Sequence, residues 1–264
     1  MIEVIFITML FVLGASVGSF LCCLNDRLAI ACQALTVQGV DSQDLPLNEL
    51  LFRPSFCLAC SRRLSWVEKL PIVSYILSNG RCGGCRAPIE RRLLLFELIL
   101  GSVLVSLFLI DGSLNSLPIF LFIGILFAAV DFDYRYLRLP DIYSYSILWL
   151  GLISSILGAI SVSIDEAIYG VVFSYFSLHG IRLVFLRFKG RESLGMGDPL
   201  LAAALSAWVG VSLVPYFLLF SSLIGVVWVV LASHLAGSSV SNHAIPFAPS
   251  LAIGCMVTLL VAMV

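Results

Sequence analysis

Charge is what this chain has least of. Only 12% of its 264 residues are Asp, Glu, Lys or Arg, against 60% hydrophobic, and the mean hydropathy is +1.07. Ordinary soluble domains carry about 25% charged residues, and a surface built from half that supply cannot stay in water unless lipid covers most of it. A soluble enzyme is therefore excluded. With 20 Gly, 10 Pro and 8 Cys, collagen-like, disordered and disulfide-stapled classes are excluded as well. H-E-x-x-H and G-x-x-x-x-G-K-[ST] are both missing, which removes zinc-protease and phosphate-loop chemistry. His179, His234 and His243 are scattered and read as structural residues.

What is there is a series of apolar segments. Val4–Leu24 has about the length that ~30 Å of hydrocarbon demands, and it opens on Met1-Ile2-Glu3 with its first cation, Arg27, on the far side. A cleaved signal peptide wants the opposite charge order. This segment reads as a retained helix with its N-terminus outside. Further apolar segments follow at about 93–110, 118–132, 142–160, 168–186, 199–214, 215–232 and 247–264, with the break between the sixth and seventh helices placed near Pro215. The expected fold is an all-α polytopic membrane protein of about eight transmembrane helices. Its divisions are 1–24, the first helix; 25–92, a polar insert; and 93–264, a membrane core.

The 15 Lys and Arg set the topology. Nine lie in the insert, and the others follow at Arg135, Arg138, Arg182, Arg187, Lys189 and Arg191, while the loops 111–117 and 161–167 hold acids and no cation. Lys and Arg in short loops mark the cytoplasmic side. The insert and the polar loops after the third and fifth helices thus face the cytoplasm together. Nine cations against six acids in the insert is too mild an excess for nucleic acid, although anionic lipid could be attracted.

Within the insert, Cys57-x-x-Cys60 and Cys82-x-x-Cys85 are separated by 21 residues. Two such knuckles present four thiolates to one tetrahedral ion, so structural zinc is expected, with no open coordination position for catalysis. A cytoplasmic location argues against disulfides. Cys22, Cys23 and Cys255 read as small buried hydrophobes.

Carboxylates in membrane helices cost several kcal/mol and are functional candidates by default. Glu97, Asp131, Asp133, Asp141 and Asp198 qualify, all at the cytoplasmic ends of their helices. Asp141 after Pro140 suits a helix N-terminus, and Asp198 before Pro199 suits capping as well as chemistry. Gly195-Met196-Gly197-Asp198 favours chemistry, because the two glycines permit close backbone approach and positive φ. Its partner is an Asp from Val130-Asp131-Phe132-Asp133. Two carboxylates within a few ångströms share a proton, one then serving as general base on water and the other as general acid.

These motifs together resemble the type IV prepilin peptidases, the bifunctional prepilin leader peptidase/N-methyltransferases with a GxGD-type aspartyl site. Gly18-Ser19-Phe20-Leu21 with Arg27-Leu28 is similar to the first-helix motif. The stretch from Cys57 and Cys60 through Trp66, Pro71, Gly80-Arg81-Cys82, Cys85 and Glu97-Leu98 is similar to the zinc-bearing cytoplasmic domain. Gly195-Met196-Gly197-Asp198 and Ala207-Trp208-Val209-Gly210 match the second Asp motif, and Ile245-Pro246-Phe247-Ala248-Pro249 the closing one. Proline stands seven positions after the first catalytic Asp in the family, and counting back from Pro140 gives Asp133, with Asp131 the alternative. The chain departs from the pattern at Cys22, at Asn25–Ala29 and at Pro199-Leu200, where the family has a Lys.

The resemblance implies cleavage of the short basic leader of type IV pilin-like precursors at the cytoplasmic face of the bacterial inner membrane. It also implies N-methylation of the new N-terminus from S-adenosylmethionine. Asp133 and Asp198 would be catalytic, Gly195 and Gly197 supporting, and Cys57, Cys60, Cys82 and Cys85 the zinc ligands. An ion-coupled transporter using the same acids, or a non-enzymatic pilus-assembly scaffold, are the alternatives. No internal repeat supports the transporter.

Overall fold

The computed structural model describes residues 2–38, 54–112, 114–190, 195–236 and 246–262; Arg191, His243 and Ile245 lie outside them. Among the described residues there are eight long helices: α1 (Ile2–Gln38), α2 (Arg91–Asp111), α3 (Leu117–Tyr136), α4 (Asp141–Ile156), α5 (Ile164–Lys189), α6 (Gly197–Val209), α7 (Val214–Ala236) and α8 (Ala248–Ala262). Extended structure among the described residues is limited to two isolated bridges in the insert. Among the described residues, five stretches are long and apolar enough to cross a membrane: Glu3–Gln33, Arg91–Ile110, Leu117–Tyr136, Ile164–Phe188 and Val211–Leu231. The remaining helices, α4, α6 and α8, have 16, 13 and 15 residues, fewer than the ~20 that a lone span requires.

Two boundaries differ from the sequence reading. The first helix does not stop at Leu24 but continues through Asn25, Asp26 and Arg27, because its buried face runs on through Asn25, Leu28 and Ala29. Asp26 meanwhile pairs with Arg92 at the head of α2. The break between the sixth and seventh helices falls at Gly210 rather than near Pro215. Gly210 has φ 79°, a conformation glycine adopts without a Cβ clash, and one 3-10 turn, Val211–Leu213, leads into α7. Pro215 sits in the first turn of α7, where its missing N–H leaves no bond unmade.

The chain divides into two compact units, Met1–Gly124 and Ile125–Val264, with the boundary inside α3. In the first unit α1 packs along α2. Gly14 faces the backbone of Leu100 and Gly101, and Gly101 faces Phe11, so the helices meet almost backbone to backbone, as small residues allow in membrane bundles. Gly14-Ala15-Ser16-Val17-Gly18 has the spacing of a serine-hydrolase G-x-S-x-G, but it lies inside α1, where the Ser16 hydroxyl donates to the Val12 carbonyl at 2.7 Å. That is no strand-to-helix elbow.

In the second unit α6 is the centre, packed by α4, α5 and α8. From Leu201 to Val209 every residue of it is buried, as expected of a helix that is apolar all round. Trp208 Nε1–H donates to the Ile147 carbonyl at 3.0 Å, and Gly151 on α4 leaves the room its ring needs. The N-terminus of α6, which carries Asp198, is held by this core.

Candidate active site and metal centre

Asp133 lies in the last turn of α3 and is 6% exposed. Its Oδ2 accepts the main-chain N–H of Ala248, the first residue of α8, at 3.0 Å, and the Phe247 amide also donates to the carboxylate. Asp198 stands in the first turn of α6, close enough to Asp133 for their charges to act on each other. Three helix termini therefore converge on one pair of carboxylates: the C-terminal end of α3 and the N-termini of α6 and α8. The α6 and α8 termini aim positive dipole ends and unsatisfied amides at negative charge.

Asp131 is half-buried on the same helix. Two residues along an α-helix turn the side chain through about 200°, so Asp131 faces away from the side on which Asp133 meets Ala248. Asp141 is exposed in the first turn of α4, as a dipole-favoured N-terminal acid should be. Glu97 has a different partner. It is 2% exposed and its Oε2 accepts the Ile72 N–H at 2.7 Å, tying the insert to α2.

The glycines around Met196 have separate jobs. The Gly195 N–H donates back to Asp198 Oδ2 at 3.0 Å, and a Cβ on Gly195 would stand 3.1 Å from that oxygen. Gly197 is helical rather than left-handed, so the positive-φ freedom expected of it is unused. A Cβ there would come within 3.3 Å of the Leu139 backbone carbonyl. Close approach is thus the reason for both. Asp198 lies inside the helix rather than at the N-cap, which is Met196. The amide contribution of Phe247 and Ala248 was not legible beforehand, although the prolines at 246 and 249 mark the helix start that supplies it.

In the insert, the four thiols Cys57, Cys60, Cys82 and Cys85 have their sulfurs within 4.8 Å of one another. The two knuckles are built alike. The Cys57 N–H donates to the Arg62 carbonyl and the Cys82 N–H to the Ala87 carbonyl, both at 2.9 Å, while the Ser61 and Arg86 amides return to the Cys57 and Cys82 carbonyls. Ser61 and Arg86 occupy matching left-handed positions, φ 56° and 58°. A tetrahedral ion with bonds near 2.3 Å places its sulfurs about 3.8 Å apart, and Cys57 and Cys85 are at 3.9 Å. The backbone N–H groups of Cys85 and Gly84 lower the Cys82 thiol to about 6, while, against the Ala87 amide, the Cys60 sulfur and burial raise Cys85 to about 11, so negative charge gathers first on Cys82. Cys22 and Cys255 are buried and Cys23 half-buried, as expected of small apolar fillers.

Comparison with known proteins now decides the family. Residues 12–110 match the Bacterial Peptidase A24 N-terminal domain, and residues 119–230 match the Type IV leader peptidase family. The chain is a member of that leader peptidase family. It is 32% identical to the prepilin leader peptidase/N-methyltransferase of Pseudomonas aeruginosa, over 97% of this chain and 90% of the relative. The Aeromonas hydrophila protein of the same name is also 32% identical, over 97% and 91%. A type 4 prepilin-like proteins leader peptide-processing enzyme of Escherichia coli is 30% identical over 78% and 74%. No solved structure matches. Membership and the five long apolar helices make the chain a multi-pass membrane protein of this peptidase family.

Proposed function

We propose that the protein is an aspartic endopeptidase of the bacterial inner membrane that removes the short basic leader of type IV prepilin-like precursors. The observation that carries this reading is that Asp133 and Asp198, from separate helices, lie close enough for their charges to act on each other, with Asp133 held by the Ala248 N–H. One ionised carboxylate takes a proton from water, whose oxygen attacks the scissile carbonyl carbon. The other, protonated, donates to the carbonyl oxygen, and the new amine departs with a proton delivered by the pair. Both residues are available for either role. Gly195 and Gly197 support the pair by letting the backbone lie against Asp198 and Leu139.

The relatives' names add N-methyltransferase activity, and we carry it over: S-adenosylmethionine would supply the methyl group to the freed N-terminal amine, which would lose a proton as S-adenosylhomocysteine departs. Cys57, Cys60, Cys82 and Cys85 would hold zinc, whose contribution is structural, because four thiolates fill its coordination sphere. The proposed topology has the N-terminus outside, the insert in the cytoplasm and all eight helices in the bilayer. The short α6 is sheltered by its neighbours, which supports placing it there without a full span of its own. The sides follow from the cations at the C-terminal ends of α3 and α5 and in the loop between α3 and α4, Arg135, Arg187 and Arg138.

The test is co-expression with a pilin-like precursor and mass spectrometry of its N-terminus. The wild-type protein should yield a precursor lacking its leader and carrying one extra CH₂. Asp133→Asn and Asp198→Asn should each lower cleavage by about 100-fold or more at unchanged protein level in the membrane. Substantial cleavage by either variant overturns the assignment.

A further inference from the structure

Apart from the cysteine cluster, the insert carries a surface with no role assigned. Trp66, Val67, Leu70, Val73, Ile76 and Leu77 are all exposed, Trp66 at 85%, Ile76 at 64% and Leu77 at 68%. They belong to the 3-10 turn Val67–Lys69, its flanking residues and the helical turn Val73–Leu77, two elements in contact with each other. Water-facing apolar residues are ordinary singly, but a cluster of this kind marks an interaction surface.

Its depth is fixed by a hydrogen bond. The Ile72 N–H donates to Glu97 Oε2 at 2.7 Å, and Glu97 stands six residues into α2, about 9 Å along the axis from Arg91. Arg91–Ile110 is one of the stretches able to cross a membrane. Ile72 is therefore tied to the level where α2 enters hydrocarbon, and Val73–Leu77 begins there. Ile72 holds φ 62°, an unfavourable conformation for a β-branched residue that survives only where surrounding contacts impose it.

Charge points to the same occupant. Residues 54–92 contain seven cations and two acids. Of the acids, Glu68 is paired with Arg62 and Glu90 with Arg92. Arg63, Lys69, Arg81, Arg86 and Arg91 are exposed, and Lys69 Nζ lies 4.8 Å over the Trp66 ring. Tryptophan beside lysine, in a segment hydrogen-bonded through Ile72 to a membrane-length helix, is the chemistry of the headgroup layer.

We propose that Trp66–Leu77 is an interfacial anchor that seats the insert on an anionic phospholipid surface. Trp66, Ile76 and Leu77 enter the headgroup–acyl boundary, while Arg63 and Lys69 meet lipid phosphates. The anchor is independent of the peptidase assignment, since none of its residues belongs to the Asp pair.

The experiment uses the full chain in vesicles of phosphatidylcholine with or without phosphatidylglycerol, their acyl chains brominated to quench tryptophan. Subtracting the emission of Trp66→Phe isolates Trp66 from Trp149, Trp208 and Trp228. Brominated lipid should quench the Trp66 component about twofold or more. The quenching should be greater with phosphatidylglycerol present and smaller in Lys69→Glu. Trp66 emission that ignores brominated lipid, and is quenched by aqueous iodide equally in vesicles and detergent, overturns the proposal. Equal quenching with and without phosphatidylglycerol overturns the anionic preference. Protection of Trp66 that appears only when a precursor is added assigns the patch to a protein and overturns the lipid anchor.

Discussion

Asp133 and Ala248 are joined across 115 positions of sequence by one hydrogen bond, the Ala248 main-chain N–H donating to Asp133 Oδ2 at 3.0 Å. Ala248 opens α8, so its N–H has no partner within the helix, and the carboxylate supplies one. Ala248→Pro deletes this donor at a position where proline fits helical geometry. A hydrogen bond to a charged group contributes about 1.5–3 kcal/mol, so leader cleavage by Ala248→Pro should fall roughly 10–100-fold in kcat. Ala248→Gly keeps the N–H and should stay near wild type. Steady-state cleavage of a precursor in detergent, normalised to protein present, measures both.

Asp131 and Asp133 separate cleanly by substitution. Asp131 faces away from the Ala248 amide and is half-buried, so Asp131→Asn should keep cleavage within about threefold of wild type, against the hundredfold or greater loss expected of an acid–base residue in Asp133→Asn. Parallel assays of the two variants against one precursor decide between them. A severe loss in Asp131→Asn with normal activity in Asp133→Asn would reverse the assignment.

Much of the helical frame was legible because hydrophobic length alone marks a membrane segment, and the segments found from 93 onward lie within a few residues of the helices. Where the reading failed, the cause was packing that composition does not reveal. Asn25, Asp26 and Arg27 look like a helix exit, yet Asn25 is buried and Asp26 is paired with Arg92, a partner 66 positions away. Pro215 looked like the break between two helices, whereas Gly210 makes it, since proline is tolerated in a first turn and a φ of 79° is not open to most residues. The cysteine knuckles and Gly195–Asp198 could be read from spacing. The Ala248 and Ile72 amides could not, because any residue but proline offers an N–H and only the fold says where it points.

Glu68 sets a pH dependence for the insert. The Ser65 amide and hydroxyl bond to its carboxylate, and the Arg62 guanidinium pairs with it, which together lower it below the ordinary value of 4.5. A carboxylate depressed in the folded state contributes stability that is fully present above its unfolded value and is lost as pH falls through its folded one. The cost of Glu68→Gln to insert stability should therefore be constant from pH 7 down to about 5 and shrink at lower pH. Comparing the two proteins' resistance to limited proteolysis at each pH cancels the protonation of the thiolates, which both share.

Zinc removal should unfold the insert and spare the helices. Residues 54–90 of the insert are built from short turns and two single bridges, and Trp66, Val67, Leu70, Val73, Ile76 and Leu77 are exposed rather than packed inward. It therefore has little core of its own. A structural zinc supplies about 10 kcal/mol or more of folding free energy to small domains of this kind. Purified protein should hold about one zinc per chain, and Cys57→Ser or Cys82→Ser should bring this near zero. Trypsin should then cut rapidly at Arg62, Arg63 or Arg81, sites in or beside the two knuckles. Circular dichroism should change little, because α1 to α8 draw no ligand from the four cysteines. A zinc-free preparation with trypsin resistance equal to wild type would show that the knuckles fold without metal.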